Sequence, residues 1–290
     1  MINYRLPPKT LSIYQMPYFK DAVDCIKQIR QTAKQFANID SLLKEPDYNK
    51  WLQTITTVVD LENYLTGDDV KFNLLNTLAI ASWEINTSHQ KPIAIPKLTK
   101  LNDWLSEFPS LLNDKSFVNK IKNLEGFNFL ASMSELSFAA FLREIGFAIS
   151  FEHKFIQVNS QKKKDVDIGF IGPKSVANYA EIYMPHHTEN TEGFFDPNDS
   201  DHYVKYKVAM KLSDKFGADG ITGLTGKVLL VVNYAAIDAL LIKEAFPIFS
   251  SEGIYNEMSN ALPPGVDGLA FFRDDFSGKG SFHFDKLILI

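Results

Sequence analysis

The sequence predicts a mixed α/β (α+β) fold: a helical N-terminal region over residues 1–125, then a mixed sheet flanked by helices over residues 126–290. Three observations predict it. From Pro17 to about Gly126 apolar residues recur at helical spacing. From Phe147 to Met184 they alternate as strands do, with polar turns between. Further on, Val228-Leu229-Leu230-Val231-Val232 is the unbroken apolar run of a strand buried on both faces.

Taken in order, the first helix spans Tyr18 to Ala37 and aligns Phe19, Ala22, Val23, Ile26, Ile29 and Ala33. A second, Ser41 to Leu65, carries Leu42, Leu43, Trp51, Leu52, Ile55, Val58, Val59 and Leu61 and stops at Thr66-Gly67. Asp68 to Ile85 is a third, and Gln90 to Pro96, with two prolines, is a loop. Helices follow over Lys97–Leu112 and from Phe117 onward, the last running into Glu135. Trp51, Trp83 and Trp104 are expected as core or interface anchors and Cys25 as a buried small hydrophobe. Lys27, Arg30 and Lys34 form a solvated basic face. None of this carries chemistry; the helical region is expected to dock a protein partner or a second copy of the chain.

The second half opens with a helix from Ser134 to Gly146, where a glycine ends it. The strand Phe147–Phe155, the turn Asn159–Lys164, the strand Asp165–Ile171, the turn Gly172-Pro173-Lys174 and the strand Val176–Met184 come next. Alternation puts Val166, Ile168 and Phe170 on one face and Asp165 and Asp167 on the other. In the next strand Tyr179, Glu181 and Tyr183 share a face, and a short hairpin sets Asp165 or Asp167 beside Glu181. Glu135 interrupts a small, apolar stripe of Ala131, Phe138, Ala139 and Leu142. Beyond a polar loop, a helix spans Asp201–Phe216. A flexible connection (Gly217–Gly226), a strand (Lys227–Tyr234), a helix (Ala235–Phe246), strands Gly268–Arg273 and Ser281–Phe284, and an edge at Leu287–Ile290 complete the chain.

Composition sets limits. With 45% hydrophobic and 13% aromatic residues the chain has ample core material. No apolar run approaches the ~20 residues of a membrane helix. The start lacks the order of a signal peptide, and the single cysteine excludes an internal disulfide or a multi-cysteine zinc site. A soluble, cytoplasmic protein is the expectation. A net charge of −5 provides no global field for nucleic acid, so binding would need a local basic patch.

The order helix-borne Glu135, strand, Asp-bearing strand, then Glu181-Ile182-Tyr183 resembles the PD-(D/E)XK nuclease superfamily, whose fold is the restriction-endonuclease-like one. The resemblance starts at about Gly126 and leaves the N-terminal half aside. It implies that Glu135, Asp167 and Glu181 hold Mg²⁺ or Mn²⁺, with Asp165 assisting, for hydrolysis of phosphodiesters in nucleic acid, DNA rather than RNA. It also implies settings such as defence or DNA processing. Lys164 stands where the family has proline, and Tyr183 where it has lysine. Tyr183 donates a hydrogen bond but carries no charge at neutral pH. The missing cation would come from Lys207 or Lys164; Lys207, Lys211 and Lys215 fall four apart along one helix face.

Physically, three acids within ~4–6 Å repel unless a cation sits among them, and oxygen donors suit Mg²⁺. The reading therefore requires these acids to meet. Glu135 turned away from Asp167, or Glu181 locked against a basic partner, would argue against cleavage. The competing reading, suggested by Tyr183, is a nuclease-like module that has lost catalysis and serves in binding or assembly. His186, His187 and His202, with Glu189, Glu192 and Asp196, match no zinc spacing. His153 is expected as a packed, hydrogen-bonded histidine. Gly217–Lys227 runs from helix into strand, the reverse of a phosphate loop.

Overall fold

The computed structural model describes residues 22–54, 73–87, 92–124, 128–173, 176–185, 200–235 and 262–289. The chain forms two compact units, residues 1–133 and 134–290, with the division a few residues past the one read from the sequence.

The first unit is helical: α1 (Ala22–Ala33), α2 (Ala37–Leu42), α3 (Glu45–Thr54), α4 (Leu74–Thr87), α5 (Ala94–Glu107), a 3₁₀ turn (Pro109–Asn113) and α6 (Lys115–Ile121). The helix expected to start at Ser41 is interrupted. Pro46 cannot sit in a helix interior, so α2 ends at Leu42 and α3 restarts with Pro46 in its first turn. Asp47 marks the restart by accepting from Lys44 N–H at 2.8 Å. The helix expected to run from Phe117 into Glu135 also breaks. α6, capped by Asp114 on Phe117 N–H at 2.9 Å, ends at Ile121, and residues 122–124 are not helical. Trp51, Trp83, Trp104 and Cys25 are all buried, as expected of core residues. Trp51 satisfies its indole N–H on Asn76 Oδ1 at 3.0 Å. Burial, with Asp24 beside it, pushes the Cys25 thiol up to about 12.

Among the described residues of this unit, Glu84 is a buried carboxyl group. Its Oε1 accepts from Ile93 N at 2.5 Å and Ala94 N at 3.0 Å, and its Oε2 from Ala94 N at 3.0 Å and Ile95 N at 2.9 Å. It thus caps the start of α5, where unpaired N–H groups and the helix dipole favour a carboxylate. Glu84→Ala leaves these amides without their acceptor and lowers stability by about 1–3 kcal/mol. A urea midpoint unchanged from wild type would show that the cap contributes nothing.

The second unit takes up α7 (Asn128–Glu144) from Ser134 onward and adds β1 (Ala148–Gln157), β2 (Lys163–Ile171), β3 (Ala177–Tyr183), α8 (Ser200–Phe216), β4 (Ile221–Thr222), β5 (Lys227–Asn233), β6 (Gly268–Arg273) and β7 (His283–Leu289). The mixed α/β class read from the sequence is the observed one. The two late segments expected at Ser281–Phe284 and Leu287–Ile290 are a single strand, β7, over its described length. Among the described residues the sheet has seven strands, in the order β4-β1-β2-β3-β5-β6-β7. β1, β2 and β3 form an antiparallel meander, β3, β5 and β6 run parallel, and β7 returns antiparallel. Parallel neighbours require a crossover, and α8 lies in the one between β3 and β5. Val208, Leu212 and Phe216, four apart on α8, join a core cluster with Val228, Leu230 and Val232 of β5 and with Phe155 and Val166.

The stretch from Gly217 to Lys227 is not the loose connection expected. It contains β4, which pairs with β1 through Ile156↔Thr222 and Gln157↔Ile221. A Cβ at Gly220 would stand 2.0 Å from Pro264 O, and one at Gly226 1.6 Å from Ala177 O. These glycines let two backbones touch. The helix expected at Ala235–Phe246 lies, beyond Ala235, outside the described residues.

Candidate functional site

The site forms where β2 parts from β3. The two strands pair from Ile168↔Ala180 to Ile171↔Ala177, and the pairing stops there. Asp167, the next residue of β2, takes over with its side chain: Oδ2 accepts from Ile182 N–H at 2.8 Å. On the other side of β2, the pairs Phe151↔Ile168 and His153↔Val166 flank Glu152, whose φ of 56° is left-handed and costly for a glutamate. The strict alternation expected along β2 breaks here. Val166 belongs to the core cluster with Val208 and Leu212 of α8. Gly169 is on the same side, because a Cβ there would stand 2.3 Å from His153 Nε2, and the His153 ring lies 5.2 Å from that of Tyr179, which packs on the same cluster. Phe170 packs instead against Phe147. A one-residue change of face at Asp167 accounts for both.

Glu181 lies at the centre of β3, 1% exposed. Each of its oxygens faces an ammonium group. Lys211 Nζ is 2.7 Å from Oε1 and Lys215 Nζ is 2.7 Å from Oε2. Lys211 hydrogen-bonds Glu181 and sits 5.6 Å above the Tyr183 ring, a cation–π arrangement. Lys215 hydrogen-bonds Glu181 as well, on the fully buried Oε2 side. Burial and the charge of Asp167 push the Glu181 carboxyl up, to about 7, against the pull of Lys211 and Lys215. Lys215 loses solvation, yet Glu181, Asp167 and Asp165 more than offset this and hold its ammonium above the usual range.

The chain delivers these lysines by simple periodicity. Lys207, Lys211 and Lys215 each precede a core residue of α8 (Val208, Leu212, Phe216) and so occupy the border of its buried face, half in and half out. The C-terminal end of α8 is pinned. Gln157 Nε2 donates to Asp214 O at 3.2 Å and Lys215 O at 3.0 Å, and Lys164 Nζ donates to Asp214 O. Gly217, at φ 77°, ends the helix. Lys164 is held below the usual lysine range by burial and by the neighbouring charges of Lys215, Lys162 and Lys211, against Asp214.

The predicted residues therefore separate. Asp167 and Glu181 come together, with Asp165 close enough to act on Lys215. The cation arrives from Lys211 and Lys215; Lys207, one turn earlier, is not among the ion-pair partners of Glu181. Tyr183 supplies a ring 5.6 Å beneath the Lys211 ammonium. Glu135 is buried on α7, but it does not join Asp167 and Glu181 in a group that could hold a metal ion. Among the described residues no three His, Cys, Asp or Glu side chains are grouped so as to hold a metal ion. A hard divalent cation binds through one or two carboxylates and substrate phosphate, and here both oxygens of Glu181 are taken up by Lys211 and Lys215. His186, His187, Glu189, Glu192 and Asp196 lie outside the described residues, as does the His202 side chain. His153 accepts or donates at Ser150 Oγ, 2.8 Å away, and burial lowers its pKa; it is hydrogen-bonded as expected but only half-buried.

A second polar cluster went unread. Asp274, fully buried, accepts from Ser137 Oγ at 2.6 Å, Phe276 N at 2.8 Å and Ser281 Oγ. Asn233 links it to Ser134 through bonds of 3.1 and 3.0 Å. The signal was present: Asn233 closes the apolar run of β5, and Arg273-Asp274-Asp275 follows that of β6. No helix among the described residues is long and apolar enough to cross a membrane.

No family model, no curated protein and no solved structure matches the chain.

A buried carboxylate stripped of both counter-charges is the costly state. Replacing Lys211 and Lys215 together with Met should lower unfolding free energy by about 3–5 kcal/mol. Adding Glu181→Met should restore most of that loss. Chemical denaturation checks both, and a triple variant no more stable than the double would refute the pairing.

Proposed function

We propose that the second unit is a metal-dependent nuclease domain of the PD-(D/E)XK type, acting on phosphodiester bonds of nucleic acid, DNA in preference to RNA. The observation that carries this is the meeting of Asp167 with buried Glu181, Asp167 Oδ2 accepting from Ile182 N–H at 2.8 Å. The two lysines locked on Glu181 meet the condition set against cleavage and weigh toward the second reading below. The connectivity supports it: a helix bearing Glu135, an antiparallel meander with the acids on its second and third strands, then a helix and a parallel strand. Mg²⁺ or Mn²⁺, held by Asp167 and Glu181, would supply Lewis acidity at the scissile phosphate and an activated water. In this reading Lys211 orients that water or meets the charge that develops on phosphate, the task of the motif lysine. Lys162, Lys163 and Lys164 give the local positive charge that an overall acidic chain needs to engage a phosphate backbone.

One observation favours a second reading, a nuclease-like module without catalysis. Both oxygens of Glu181 already face lysines, and Asp167 already accepts a backbone N–H. Such a site is neutralised from within.

The two readings part in one experiment. Purified full-length chain is incubated with Mg²⁺ or Mn²⁺ and with single- and double-stranded DNA and RNA. The nuclease reading expects cleavage that falls at least about a hundredfold in Asp167→Ala, Glu181→Ala and Lys211→Met, as for loss of one electrostatic stabiliser. His186→Ala, a residue with no role in this reading, should retain it. Absence of metal-dependent cleavage on all four substrates would leave the binding module.

A further inference from the structure

Charge is unevenly spread along this chain. It is acidic as a whole, at −5, yet between Glu152 and Asp165 it carries four lysines and no acidic residue. That stretch spans the β1–β2 hairpin, and its lysines do not stand alike. Lys164 is turned inward, its ammonium on Asp214 O at the end of α8. Lys154 of β1 is paired in register with Asp165 of β2, which offsets its charge. Lys162 and Lys163 remain, both exposed, and among the described residues neither is ion-paired. The turn that carries them is firmly built. Gln157 N donates to Lys162 O at 3.0 Å and Gln161 N to Gln157 O at 3.0 Å. Ser160 Oγ donates to Gln157 Oε1 at 2.6 Å, and Nε2 of the same amide holds the end of α8. Gln161, at φ 52°, takes the left-handed conformation of the turn. The apex is polar throughout: Asn159, Ser160, Gln161, Lys162 and Lys163 are all exposed.

We propose that this hairpin tip is the surface on which the chain holds a nucleic-acid backbone, with Lys162 and Lys163 on phosphates and the bases unread. The inference deepens the proposed function: it rests on the nucleic-acid part of that reading, and neither on cleavage nor on a metal. Lysine meets phosphate as a point charge, so a pair of ammonium groups serves without the geometry that base recognition demands. The amide and hydroxyl groups of the apex suit phosphate and sugar oxygens. A loop that enters a bilayer carries apolar side chains at its tip, and this apex has none. A turn already fixed by its own hydrogen bonds loses little freedom on binding. Asp214 and Asp219 flank the hairpin, and at Lys164 three lysines, Lys215, Lys162 and Lys211, act against Asp214. The lysines on Glu181 are set aside here, because a carboxylate already takes up their charge.

The test is equilibrium binding of the full chain to a short fluorescent DNA duplex, read by anisotropy over a range of salt. EDTA is present, so neither metal nor cleavage enters. Wild type should bind two unrelated sequences alike, and more weakly as salt rises. The double variant Lys162→Gln, Lys163→Gln should lose about tenfold in affinity at low salt. It should also reduce the slope of log K against log salt by about two, one for each phosphate contact. The rival surface is the basic face of α1, so Lys27→Gln with Lys34→Gln should leave affinity and slope as they are. All four lysines are exposed, and a thermal melt checks that each variant folds. Absence of duplex binding by wild type at low salt overturns the inference. An unchanged slope in the hairpin variant, or a loss confined to the α1 variant, does the same. Tighter binding to phosphatidylserine vesicles than to the duplex also overturns it and assigns the tip to a lipid surface. The nuclease reading fails separately. Binding through Lys162 and Lys163 without cleavage in Mg²⁺ or Mn²⁺ keeps the hairpin surface and discards the catalysis. Cleavage by a hairpin variant whose binding is unchanged keeps the catalysis and discards the surface.

Discussion

The second unit depends on how a carboxylate can be kept inside it. Taking Glu181 out of water costs several kcal/mol, and that cost is met only if opposite charge is held close and in good geometry. β3 is central in the sheet and cannot present the residue to solvent. The compensation has to come from the helix lying on that face, which fixes where α8 sits and how it is rotated. Lysines one residue ahead of Val208, Leu212 and Phe216 meet this need, since seating the apolar side chains also places the ammonium groups. Core packing and site assembly on this face are one event.

A second constraint acts within the sheet. β2 serves β3 with main-chain bonds as far as Ile168 and with the Asp167 side chain afterwards. A strand that stops pairing halfway leaves its neighbour's N–H groups without partners, a state buried structure does not tolerate. Asp167 supplies the partner for Ile182 and at the same time brings its charge against Glu181. The left-handed Glu152 in the adjoining strand is the local distortion that accompanies the split. Strain of this sort gathers where a fold is arranged for something other than stability.

Much of this was legible in the sequence. The mixed class, the meander and the buried β5 followed from periodicity, and the acids of β2 and β3 from their conspicuous places in apolar strands. The missing parts have physical causes. Pro46 outweighed a periodic pattern that ran straight through it. The β2 alternation failed because a side chain, not the backbone, bonds Ile182, and no residue type announces such a substitution. Among three equivalent lysines the sequence could not select Lys211 and Lys215, because the choice depends on how far along the sheet α8 is seated. Gln157 and Lys164, on other strands, hold the helix end in that place. The glycines between α8 and β5 suggested looseness, when two of them exist to let carbonyl groups approach. Glu135 was rightly marked as a buried acid, but its face on the helix did not tell which neighbours it would find.

The parallel arrangement of β3 and β5 bears on how the chain reaches its final state. β1, β2 and β3 are close in sequence and can meet early; β5 comes later and must await the crossover. For that interval one edge of β3 is bare, a template for pairing with another molecule. Glu181 then stands uncompensated on that strand, and a charge there discourages the stacking of apolar strands from separate chains. The same carboxylate that needs two lysines in the finished protein guards the open edge while they are still on their way.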